Sequence, residues 1–295
     1  MMEARASSSL DGRILRCGRF VLTLDRPRIM GVVNITPDSF ADGGAFLDPQ
    51  CAIDHGRRLV EEGADLLDLG AESTRPGAAP VSAAEELDRL LPVLTALTTL
   101  DVPVSVDTMK PAVMTAAIQA GAAMINDVNA FRLAGAIDAV ANTTTAVCVM
   151  HMQGEPRTMQ ADPVYADVVG EVGAFLRERV TALSSAGIAN DRIAIDPGFG
   201  FGKNLEHNLA LLRELSKFRD AGVAVLVGLS RKSMLGKITG RAAHERLPAS
   251  VAAALIAVQR GADIVRVHDV AATRDALAVL AAVAGHADHR HEERY

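Results

Sequence analysis

Eight short apolar runs punctuate the chain, and each stops on or beside a polar residue: IMGVVNI at Asn34, DLLDLG at Asp68, VPVSVD at Asp107, AMIND at Asn126, AVCVMH at His151, IAID at Asp196, AVLVGLS at Ser230 and DIVRVHD at His268. Continuously apolar runs of this length, rich in aliphatic and β-branched residues, predict strands covered on both faces, as in a parallel sheet. Between most of them, apolar residues recur at helical spacing. Leu87, Leu90, Leu94 and Leu97 form one such stripe behind a Ser82–Glu85 capping box, and Pro92 is expected to kink that helix. Val168, Val172, Phe175 and Val180 form a second, and Leu205, Leu209, Leu212 and Leu215, capped by Asn204, a third. Residues 13–24 hold two apolar runs around Cys17-Gly18-Arg19, which predicts a hairpin closing one end of the domain. Strand followed by helix, eight times over, predicts an α/β fold: a (β/α)8 TIM barrel with an N-terminal β-hairpin. Residues 13–284 form the single domain, flanked by a flexible N-terminus over 1–12 and a flexible tail over 285–295.

In such a barrel the C-terminal strand ends open on one shared mouth. A polar residue after a strand is ordinarily a turn residue or the N-cap of the next helix. Asp68 precedes Leu69-Gly70 and Arg266 precedes Val267-His268, positions that capping does not account for. Both readings stay open for each stop taken alone.

Composition narrows the picture. Hydrophobic residues make up 49% of the 295, aromatic residues only 3%, and Trp is absent, so the expected core is Ala, Val, Leu and Ile in layers. A formal charge of −6 supplies no basic face for a phosphate backbone, which argues against nucleic acid as a partner. No apolar run reaches the roughly 18 residues of a membrane span, and the opening MMEARASSSLDGR lacks the apolar core of a secretion signal. Cys17, Cys51 and Cys148 are odd in number and without metal-ligand spacing, so they are expected to be small hydrophobes in a reducing, cytoplasmic setting. His286, His289 and His291 are expected to belong to a frayed tail without function.

Candidate chemistry gathers at the mouth loops. After the first strand, Asn34-Ile-Thr-Pro-Asp-Ser-Phe-Ala-Asp-Gly-Gly44 carries Asp38, Phe40 and Asp42, either an ordinary turn or a loop that closes over substrate. Glu72-Ser-Thr-Arg-Pro-Gly77 offers Arg75, whose fork suits phosphate or carboxylate unless it pairs with Glu72. Gln153 to Pro163 is a candidate lid. Asp107, Asn126 and Asp196 supply two carboxylates and an amide suited to a polar planar heterocycle, or else cap three helices. Asp196 opens DPGFGFGK, in which glycines allow close backbone approach and Phe rings can stack. Ser230-Arg-Lys-Ser233 opens a helix with two cations and two hydroxyls, an anion site. Arg266 and His268 alternate along the eighth strand and project toward Asn34, where a pyrophosphate with Mg²⁺ would fit.

At these residues the chain resembles the dihydropteroate synthases of folate synthesis. The matching stretches are NITPDSFADGG, GAESTRPGA, SVDTMKP, INDV, MHMQGEPRTMQ, DPGFGFGK, GLSRKS and RVHDV, covering residues 29–270 nearly in full. The resemblance implies condensation of p-aminobenzoate with 6-hydroxymethyl-7,8-dihydropterin diphosphate, with Mg²⁺ as cofactor and pyrophosphate released. It implies that Asp107, Asn126, Met150, Asp196, Gly228 and Lys232 bind the pterin. Asn34, Arg75, Arg266 and His268 would bind the diphosphate, Asn34 also meeting the metal. Thr74, Arg75, Pro76, Phe201, Lys232 and Ser233 would bind aminobenzoate. Asp38, Phe40 and Asp42 would act in loop closure, and Arg266, His268, Lys232 and Asp107 would carry catalysis. A homodimer is implied through helices that include SVAAALIAV. The rival readings are a pterin-binding paralogue without synthase activity and the pterin domain of methyltetrahydrofolate methyltransferases. The first is expected to have lost Arg266, Lys232 or part of the first loop; the second needs no SRKS or STRP loop.

Overall fold

A computed structural model describes residues 12–35, 48–73, 81–155 and 158–285. The hairpin comes first: β1 (Ile14–Cys17) pairs antiparallel with β2 (Phe20–Thr23). Eight parallel strands then close into a barrel. They are β3 (Arg28–Asn34), β4 (Leu66–Gly70), β5 (Val104–Asp107), β6 (Met124–Asp127), β7 (Ala146–Met150), β8 (Ile193–Asp196), β9 (Ala224–Gly228) and β10 (Ile264–Val267). The ring closes where β10 pairs with β3, Val267 lying opposite Gly31.

The helices are α1 (Pro49–Glu61), α2 (Ala83–Leu97), α3 (Pro111–Gln119), α4 (Ala136–Ala141), α5 (Val168–Ser185), α6 (Leu205–Arg213), α7 (Ser233–Thr239), α8 (Leu247–Gln259) and α9 (Val270–Val283). Each except α7 and α8, which share one connection, follows its own strand. Pro92 lies inside α2, which continues through it to Leu97. Only half of the expected capping box forms. Ser82 Oγ accepts from Glu85 N at 3.2 Å, but the Glu85 carboxylate is taken by Arg89. Asn204 instead makes a full box with His207 at the start of α6.

Side-chain alternation sorts the strand residues between two cores. Val33, Leu67, Leu69, Val104, Val106, Ile125, Val147, Val149, Ile193 and Ile195 pack outward against the helices. Inside the barrel Met30, Leu66, Met124, Ala146, Cys148, Ala194, Ala224, Leu226 and Ile264 meet Leu15, Cys17 and Leu24 of the hairpin segment. The interior therefore uses Met, Ala and Cys as well as Leu and Ile, while the stiff β-branched residues mostly face the helices. The hairpin plugs the end opposite the mouth, as expected. Cys17 and Cys148 are buried, but Cys51 is exposed, so the small-hydrophobe reading holds for two of the three.

Candidate active site at the barrel mouth

Register places four of the neighbouring strand ends in one row: Asn34 lies opposite Gly70, Gly70 opposite Asp107, and Asp107 opposite Asn126. Residues in register on parallel strands point the same way, so these side chains share the barrel interior. Gly70 leaves a gap in the row, since a Cβ there would stand 3.9 Å from both Asn34 Oδ1 and Asp107 Cβ. The capping alternative is removed by the helices themselves. The residues preceding α1 to α9 are Asp48, Ser82, Lys110, Gly135, Asp167, Asn204, Lys232, Arg246 and Asp269. None of the eight polar stops is among them.

Charge in the mouth is alternated. Arg266 Nε donates to Asp68 Oδ2 at 2.6 Å and its Nη2 reaches Asp107 Oδ2 at 3.4 Å. Asn126 Nδ2 donates to the same Asp68 oxygen at 3.3 Å, so Asp68, fully buried, orients both an amide and a guanidinium. Asp68 Oδ1 and Ser105 Oγ, opposite each other in register, are buried without a hydrogen-bond partner. Burial pushes the Asp107 carboxyl up to about 8, with the charge of Asp68 adding and Arg266 opposing. Burial likewise raises Asp196, against the pull of Lys232 and of the Gly198 N–H that Asp196 Oδ1 accepts at 2.7 Å.

Lys232 completes the set. Its ammonium donates to Phe199 O and lies 4.8 Å from the centre of the Phe201 ring, while burial pushes it down to about 8. Gly228 makes room between the two cations: a Cβ there would stand 3.8 Å from Lys232 Nζ and 3.9 Å from Arg266 Cβ. Met150, Met152, Met159 and Val128 form a small apolar wall joined by Phe201. Met159 is buried in that wall, so part of the expected lid is packed in this state. The SRKS turn divides its labour. Arg231 takes the left-handed conformation at φ 58° and its guanidinium grips Asp269 at 2.5 and 3.1 Å. Ser230 Oγ meets His268 Nδ1 at 3.0 Å. Of the four groups expected to hold an anion, Arg231 and Ser230 are thus engaged elsewhere, and Lys232 and Ser233 remain at the start of α7.

Residues 30–268 match the family model described as pterin binding enzyme. Dihydropteroate synthase of Neisseria meningitidis serogroup B is 50% identical over 277 residues, 92% of this chain and 97% of that protein. The chain belongs to the dihydropteroate synthase family. A family structure from Xanthomonas albilineans with 4-aminobenzoic acid matches with a TM-score of 0.87 and 55% identity, covering 92% of this chain and 98% of that one. Another, from Burkholderia cenocepacia complexed with 7,8-dihydropteroate, matches with a TM-score of 0.84 and 52% identity, over 92% of this chain and 97% of that one.

Against the family expectations, Asp107, Asn126, Met150, Asp196, Gly228, Lys232, Arg266 and Phe201 converge on one mouth, with Asn34 in the same row as Asp107 and Asn126. Thr74, Arg75 and Pro76, and also Asp38, Phe40 and Asp42, lie outside the described residues. Glu72 gives one carboxylate oxygen to Val81 N at 2.9 Å and the other to Lys110 at 2.6 Å. Among the described residues, no group of three or more His, Cys, Asp or Glu could hold a metal. Asn34 offers a single amide oxygen, which fits an ion carried mainly by phosphate oxygens and water and would not fit an all-protein cage. Sequence reading missed Gly70 and Lys203 and left both readings open for Asp68. The signals available were a glycine ending a strand run and a lysine ending a glycine-rich run.

Proposed function

We propose that the chain catalyses the dihydropteroate synthase reaction, joining p-aminobenzoate to 6-hydroxymethyl-7,8-dihydropterin diphosphate and releasing pyrophosphate. The observation that carries this reading is the interleaving of two carboxylates, part-buried Asp107 and buried Asp196, with two part-buried cations, Arg266 and Lys232, in one mouth. Carboxylates accept paired N–H bonds from an amino-pyrimidinone edge, and Asn126 supplies both a donor and an acceptor. The cations suit the diphosphate and the carbonyl side of the heterocycle.

The arylamine is a weak nucleophile, so the barrier falls chiefly by helping the leaving group depart. The bond to the diphosphate oxygen breaks, the amine nitrogen bonds to the same methylene carbon, and the amine loses a proton to solvent or to pyrophosphate. Arg266 and His268 neutralise charge growing on the diphosphate, while Asp107 and Asp196 favour positive character on the pterin. Pterin binding at Asp107 would release Arg266 Nη2 from that carboxylate and leave it for the diphosphate, with Asp68 still holding Nε. Asn34 would meet Mg²⁺, which when bound offsets diphosphate charge. Thr74, Arg75, Pro76, Phe201 and Ser233 would hold aminobenzoate, and Asp38, Phe40 and Asp42 would close over it.

We read the protein also as cytoplasmic and homodimeric. No helix among the described residues is long and apolar enough to cross a membrane. Exposed Leu247 and Ile256 on α8, with Val279 and Val283 on α9, offer an apolar face for a second copy. The deciding experiment mixes purified protein with both substrates and Mg²⁺ and follows pyrophosphate and dihydropteroate. Both should appear together and require aminobenzoate; binding of pterin diphosphate without either product would favour the non-catalytic paralogue.

A further inference from the structure

Lys203 is buried at 3% exposure and forms no ion pair with a carboxylate among the described residues. Its ammonium sits in a cage of acceptors: His151 Nδ1 at 2.9 Å, His151 O at 3.2 Å, Gly198 O at 2.9 Å and Phe201 O at 2.9 Å. An ammonium has only donors, so the imidazole accepts through Nδ1 and carries its proton on Nε2. Four acceptors share three protons, and a neutral amine would have only two to give. Burial pushes Lys203 down to about 7, with Lys232 adding to that and Asp196 opposing it. The same burial, with Lys203 beside it, holds His151 down to about 3. A buried cation at such a cost is more than packing requires, since Met or Leu would fill the volume.

What the cage holds is the glycine-rich loop after β8. Gly198, Gly200 and Gly202 all have positive φ, at 69°, 80° and 60°, so this segment makes few backbone bonds of its own. Instead its successive carbonyls are taken by side chains. Gly198 O and Phe201 O bind Lys203, Phe199 O binds Lys232, Gly200 O binds Gln160, and Gly202 O accepts from Tyr165 at 2.8 Å. A Cβ at Gly198 would overlap His151 O, so the loop is pressed directly onto the end of β7. The wall that gives Lys232 both its carbonyl and its ring is therefore held by side-chain donors, and among the described residues Lys203 is the only side chain that donates to it at two points.

We propose that Lys203 is a positioning residue of the synthase reaction, acting through Phe199 and Phe201 to place Lys232 and the aminobenzoate wall. This rests on the synthase reading, and wild-type turnover tests that reading first. Steady-state kinetics of Lys203→Met, measured well below its melting temperature, should show KM for both substrates raised by about tenfold or more. His151→Asn keeps an acceptor near the Nδ1 position and should stay within about twofold of wild type, whereas His151→Leu should raise KM in the same direction as Lys203→Met. Wild-type KM values in Lys203→Met, with kcat lowered only by the fraction unfolded, would overturn the proposal. Should Lys203→Met fail to fold, the His151 pair decides: equal KM values in the two variants would overturn it, and a split would uphold it. No product from wild type would instead remove the synthase reading.

Discussion

Arg266 is paired before any substrate arrives with Asp68 on one side, and Asp107 stands within reach of its Nη2 on the other. A guanidinium so placed is preorganised, because Asp68 fixes its angle while the weaker contact to Asp107 is the one a pterin would replace. Lys232 differs: burial disfavours its charge, and its local partners are one carbonyl and one ring face. Removing it relieves desolvation as well as losing a hydrogen bond, so Lys232→Ala should move Tm by only about 3 °C. Calorimetry should nevertheless show pterin diphosphate affinity falling by about tenfold or more. Asp196→Asn keeps an oxygen for Gly198 N–H but loses the charge, and should show the same separation between Tm and affinity. A fall in affinity that merely tracks loss of folded protein would make both residues structural.

At the scale of elements, the hairpin and the mouth loops do opposite work on the same barrel. Leu15 is fully buried in the interior cluster with Met30, Leu66 and Met124, on the hairpin that closes the end of the barrel opposite the mouth. Leu15→Ala should therefore cost about 2–4 kcal/mol in urea unfolding, through lost burial and an unfilled cavity, with kcat and KM within about twofold. A large kinetic defect in that variant would show that the plug reaches the site. The strands, the hairpin and the three helical stripes were legible because hydrophobic period reports which faces are covered, independent of partners. So were Asp107, Asn126 and Asp196, since a polar residue closing a buried strand is costly unless used. Lys203 was not legible: its role exists only because β7 and β8 are neighbours, which brings His151 beside Gly198 and Phe201. Gly70 was hidden for a similar reason, because a gap is defined by the side chains on either side. Arg231 looked like a second anion ligand until the turn set it at positive φ and aimed it at Asp269.

Over the whole molecule, groups in and around the mouth have their protonation perturbed by folding in both directions, which makes stability depend on pH in successive windows. Asp107 is pushed up from 3.8 to about 8, and Asp127, which accepts from Asn129 N and Phe131 N, up to about 6. The folded state binds these protons more tightly than the unfolded chain. Their contribution is full below the ordinary carboxylate range and is lost as pH rises through about 6 and then about 8. Lys203 and Lys232 are pushed down from 10.5 to about 7 and about 8. There the unfolded chain binds the proton more tightly, so stability is regained between those values and 10.5. Asp107→Asn isolates one window. The variant is always neutral at that position, whereas the wild type becomes charged there only as pH climbs, so the variant should gain Tm relative to wild type between about pH 5 and 8. Melting curves of ligand-free protein across that range check it; a Tm difference that stays constant, or changes in the other direction, would mean that Asp107 is already ionised at acid pH beside Arg266.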